Sequence, residues 1–107
     1  MLIPSLFLLA AVSGPPPYAE SLACAASTRA AYDLAEGTPQ EPDAFDAAMF
    51  WALATMEAAR RDGLTAKAAE AAQLAERDKA KPPLQDGNPA AKAALAACLE
   101  RVPDIKG

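Results

Sequence analysis

The stretch DAFDAAMFWALATMEAARRDG, residues 43–63, decides the fold. Phe45, Met49, Ala52, Leu53, Met56 and Ala59 recur at helical spacing and predict a core-facing stripe. Asp43 stands where an N-cap is needed, and Gly63 supplies the C-terminal stop. Asp43 and Asp46 near the start, with Arg60 and Arg61 near the end, complement the helix dipole. Phe50 and Trp51 lie off the stripe, so this helix touches neighbours on two sides. It also carries most of the aromatic mass, which places it at the centre of the domain.

Reading outward, Thr38-Pro39-Gln40-Glu41-Pro42-Asp43 is a turn with two possible helix starts. Thr38 and Glu41 have capping-box spacing, but Pro42 lacks an amide, which favours Asp43 as the N-cap. On the N-terminal side a helix is predicted over 21–36, capped by Ser21 and stopped by Gly37, with Leu22, Ala26, Ala30 and Leu34 on one face and Cys24, Ala31 and Tyr32 beside them. On the C-terminal side a third helix starts at Thr65 and runs to about Ala80, ahead of Lys81-Pro82-Pro83. Its predicted contact face is Ala68, Ala71, Ala72 and Ala75, with Leu64 and Leu74 the large apolar residues. Asn88-Pro89 opens a fourth helix that runs to about Arg101. Its predicted inner stripe is Ala91, Ala94, Leu95, Cys98, Leu99 and Val102. The fold class is therefore all-α: a small, Ala-rich domain of four helices.

Ahead of these helices, residues 2–12 (LIPSLFLLAAV) have the length and apolarity of a signal-peptide core and are too short to span a bilayer. Pro15, Pro16 and Pro17 end any helix begun there, and Ala19, Ser21 and Ala23 offer small residues for cleavage within about 20–24. No Lys or Arg precedes the apolar run, so only the α-amino group supplies positive charge. A buried N-terminal helix is the alternative. A lipid-attachment reading of Leu22-Ala23-Cys24 puts the leucine one position too near the cysteine. The expected organisation is a signal peptide at 1–20, one helical domain at 21–103 and a frayed tail at 104–107, in a periplasmic or secreted protein.

Export bears directly on Cys24 and Cys98, the only cysteines of the chain. In an oxidising compartment they are expected to form a disulfide between the first and last helices. Their wide separation in sequence argues against redox catalysis, whose dithiols are usually close together. A domain of this size gains from a covalent staple. The 29 alanines among 107 residues favour helix but bring little apolar area, so the helices must approach closely.

Composition excludes several functions. There is no histidine, which removes the commonest general base, zinc ligand and pH switch. A net charge of −4 gives no footprint for nucleic acid, and no basic amphipathic surface suggests lipid. Met49 and Met56 share a helix face and could hold copper, but no third ligand stands near, and core packing is the better reading. Glu36, Glu41, Asp43 and Asp46 gather around the first turn without a calcium-loop pattern. Arg60, Arg61 and Lys67 surround the second turn, where a helix C-terminus already favours basic residues. Ser5, Ser13, Ser21 and Ser27 include no Gly-x-Ser-x-Gly nucleophile.

No catalytic residue, cofactor or metal is expected. The partner class left standing is another protein, with Phe50 and Trp51 as the candidate partner surface if exposed. In plan (apolar leader, four helices, one long-range cysteine pair) the chain resembles the acid-stress chaperones of the HdeA type, sharing no motif with them. The resemblance implies a client-binding, non-enzymatic role; a specific inhibitor or immunity protein is the alternative.

Overall fold

The computed structural model describes residues 15–103. It contains four helices, α1 (Tyr18–Leu34), α2 (Glu41–Arg61), α3 (Ala66–Gln85) and α4 (Pro89–Glu100), and no strand among the described residues. The apolar segment 2–12 and the tail 104–107 lie outside them.

The helix ends show local chemistry at work. Thr65 Oγ1 accepts from Ala68 N–H at 3.1 Å, and Asn88 Oδ1 accepts from Ala91 N–H at 3.0 Å. Each cap satisfies one of the orphan donors of a first turn and is worth about 1 kcal/mol. Gly63 adopts φ +81°, which lets Leu64 N–H reach back to the Ala59 carbonyl at 2.8 Å and Gly63 N–H to that of Arg60 at 3.2 Å. Only a residue without Cβ takes that left-handed turn cheaply. Gly87 repeats the device, with Asn88 N–H on the Pro83 carbonyl at 3.0 Å.

Three predicted boundaries move. Helix α1 begins at Tyr18, directly after Pro17, so Ser21 lies inside the helix and is fully buried. Helix α2 begins at Glu41, with Gln40 as N-cap and Pro42 in the first turn. The first intrahelical bond there is Ala44 N–H to the Gln40 carbonyl, 3.0 Å, so the missing amide of Pro42 falls where none is needed. Thr38 and Glu41 secure the entry instead: Gln40 N–H donates to Thr38 Oγ1, and Gly37 N–H to Glu41 Oε1. Helix α3 continues through Pro82 and Pro83 to Gln85. Two prolines remove two amide donors from the ladder, but their carbonyls still accept from Asp86 and Asn88 and close the final turns.

Helix α1 is the hub. It packs extensively against α2 and α3 and also touches α4, whereas α2 and α3 touch each other little. Cys24 of α1 and Cys98 of α4 are disulfide-bonded with their Cα atoms 5.5 Å apart. Trp51 lies against the bridge with 0% of its surface exposed, and its Nε1–H donates to the Cys98 carbonyl at 3.1 Å. Arg101 stacks on the indole at 5.1 Å and pairs with Glu20, closing the N-terminal end of α1 against the end of α4.

Of the predicted stripe of α2, Ala59 is buried and Ala52 and Met56 are half-buried, but the face turned inward is otherwise a different one. Ala47, Ala48, Trp51, Thr55, Ala58 and Ala59 are buried, whereas Phe45, Met49 and Leu53 are 44%, 45% and 63% exposed. The cause is closeness. The buried face of α1 is Ser21, Cys24, Ala25, Ala26, Thr28 and Ala30, and small residues on both helices let the backbones approach. The two threonines turn their hydroxyls back onto their own helices, Thr28 to the Cys24 carbonyl and Thr55 to the Trp51 carbonyl, each at 2.7 Å. A stripe of Phe and Met in that seam would hold the helices apart. Helix α3 follows the same rule one position out of register: Ala69 is its buried residue and Ala72 of the predicted face is half-buried, whereas Ala68, Ala71, Ala75 and Leu74, and Leu64 just ahead of the helix, are exposed. In α4 Cys98 is buried, Ala91 and Leu95 are half-buried, and Ala94 and Leu99 face outward, while Val102 just beyond the helix is half-buried.

Candidate binding groove

Because α2 and α3 both lean on α1 and little on each other, a groove remains between them. Its floor is Ala25, Arg29 and Tyr32 of α1; one wall is Phe45, Ala48, Met49 and Ala52 of α2; the other is Gln73 and Leu74 of α3. That part has a volume of about 200 Å³. It runs on into a hollow of about 380 Å³ that adds Met56 and Glu70. Tyr32 and Phe45 meet edge to face with ring centres 5.5 Å apart, bracing one end.

The lining is mainly apolar with a few polar groups. Gln73 Nε2 donates to Met56 Sδ at 3.3 Å, a thioether being a weak acceptor. Arg29 Nε stands 3.6 Å from Asp33 Oδ1, while Arg77 Nη1 holds the other Asp33 oxygen at 3.0 Å. Hydrogen bonding to Asp78, followed by burial acting the other way, leaves the Arg77 guanidinium pKa raised, and Asp33 adds to the rise. On the outer side of α2, Glu57 lies below the usual carboxylate range because Arg60 donates to it and attracts it. That depressed value makes a contribution to stability present at neutral pH and lost as pH falls through it. On so exposed a pair the contribution is small.

The sequence-predicted sites are distributed as follows. Cys24 and Cys98 form the bridge. Trp51 is wholly buried and leaves the candidate partner surface, because its indole fills the space beside the disulfide; Phe50 packs edge to face on it and is half-exposed. Met49 and Met56 line the groove and do not belong to the core. Glu41 and Asp43 sit in the first turn of α2, with the Glu41 carboxylate accepting from Gly37 N–H. Arg61 donates to the Pro16 carbonyl at 3.4 Å. Among the described residues no three Cys, Asp or Glu side chains gather to hold a metal ion.

Sequence reasoning missed the groove itself. Its signal was an apolar stripe on a helix that also carried a complete stripe of small residues. Comparison with family models, curated proteins and solved structures gives no match in any of the three.

Proposed function

We propose that the protein is an exported, non-catalytic binding protein whose groove between α2 and α3 takes up an apolar helical segment of another polypeptide. The observation that carries this reading is the pair of exposed side chains Phe45 and Met49, with Met56 farther along, standing against Leu74 in an open channel. Large apolar side chains are costly to leave in water, and a contiguous set of them marks a surface that is covered at work. From Phe45 to Met56 the wall is about 16 Å long, room for roughly three turns of a helix. Two methionines, unbranched and polarizable, suit a wall that accepts more than one apolar sequence. Arg29 and Gln73 are placed to meet polar atoms of the occupant. The mode is helix-in-groove recognition.

Export is supported by the apolar segment 2–12 and by the disulfide, which persists in oxidising compartments. Among the described residues no helix is long and apolar enough to cross a membrane. Cleavage after Ala19 keeps Glu20 and its pair with Arg101, and keeps the buried Ser21. Cleavage after Ser21 or Ala23 removes them, so the first position suits the domain best.

The test uses a short synthetic amphipathic helix with leucines at i, i+3, i+4 and i+7, followed by calorimetry. The disulfide-bonded protein should bind it. Leu74→Asp, which puts a charge in the far wall, should weaken binding about tenfold or more. Lys92→Asp on α4, away from the groove, should leave it unchanged. Equal affinity for the Leu74 variant and the parent would remove the groove as the site.

A further inference from the structure

Asp46, Leu53 and Arg60 lie seven residues apart on α2, so they stand in one row along the helix. Among the described residues Leu53 is the most exposed large apolar side chain, at 63%, and it is not part of the groove lining. The acidic groups Glu41 and Asp43 belong to the first turn of α2, and the basic groups Arg60 and Arg61 to its last. This row is complementary to itself.

We propose that the occupant of this outer face of α2 is a second copy of the same chain, running antiparallel across a two-fold axis at Leu53. Residues 46 and 60 are equidistant from 53, so the axis sets Leu53 on Leu53 and places each Asp46 opposite the other copy's Arg60. Every contact in such an interface occurs twice. Among the described residues no ion pair engages Asp46, and Arg60 uses Nε and Nη2 on Glu57, leaving Nη1 for the incoming carboxylate. The opposed helix dipoles favour the same orientation. A parallel arrangement would set acid on acid and base on base, and is disfavoured. Met49 and Phe45 extend the apolar contact to either side and border the groove as well, so the self-contact and a groove-bound helix share one wall.

Sedimentation equilibrium on the disulfide-bonded protein tests this. The parent protein should be a dimer, and Leu53→Asp should be a monomer with an unchanged helical spectrum. Asp46→Arg and Arg60→Asp should each raise the dimer dissociation constant about tenfold or more, through two like-charge contacts. The two reversals combined should restore it towards the parent value. A monomeric parent protein overturns the proposal, as does a double reversal no tighter than the single ones. A monomer that still binds the synthetic helix, with Leu74→Asp impairing it, overturns the self-contact alone and leaves the groove in place. A dimer whose Leu53→Asp monomer also ignores the helix supports the self-contact and counts against the groove.

Discussion

A Cys24→Ala/Cys98→Ala variant is expected to lose about 4 kcal/mol of unfolding free energy, the chain-entropy value for a loop of this length. The two sulfurs close a separation of 74 residues, most of the described chain. A domain this small has about 5–15 kcal/mol in total, so the loss is a large share of it. The structure also says where the loss falls first. Helix α4 has less contact with the hub than α2 or α3 has, and the bridge and the Trp51 hydrogen bond fasten its C-terminal end. Urea denaturation should show a lower midpoint, and hydrogen exchange should show α4 losing protection ahead of α1 and α2. An unchanged midpoint in the double variant would mean that the helices hold together without the staple.

Trp51→Ala is expected to cost about 3–5 kcal/mol, the range for emptying a large aromatic site. Three attachments go at once: the packing against Cys24, Ala25 and Cys98, the bond from Nε1 to the Cys98 carbonyl, and the platform for Arg101. Trp51→Phe keeps most of the volume and should cost less, chiefly the hydrogen bond at about 1 kcal/mol and part of the cation–π contact. Because Trp51 touches the bridge, its loss and that of the bridge should not add. A double-mutant cycle should return a coupling of about 0.5–3 kcal/mol. Simple additivity would mean that indole and bridge act as separate supports.

Local punctuation in the sequence was legible. Thr65, Asn88 with Pro89, Gly63 and the cysteine pair stand where their chemistry predicts, because caps, stops and covalent reach are short-range properties. The start of α2 differs from the expected one because Pro42 falls in the first turn, where no amide donor is needed. The end of α3 lies beyond the expected one because proline removes an amide donor but keeps its carbonyl acceptor, which closes the last turns.

The inward face of α2 was the largest miss, and it concealed the groove. Periodicity ranks faces by apolar mass, and by that measure Phe45, Met49, Leu53 and Met56 win. The fold chose by fit. Ala47, Ala48, Thr55 and Ala58 match the equally small Ser21, Ala25 and Thr28 of α1, with one indole filling the remaining space. When two stripes compete on one helix, the partner helix decides between them, and single-helix patterning does not contain the partner. The rejected stripe is then left facing outward, where Phe45, Met49 and Met56 line the groove.

The chain's single indole is pressed against its only sulfur–sulfur bond. An excited indole gives up its energy readily to such a bond at contact, so the oxidised protein should fluoresce weakly at a short wavelength. Reduction then brightens the emission before any unfolding shifts its colour. The molecule thus carries its own optical gauge, with intensity reporting the redox state and wavelength reporting whether the fold survives it.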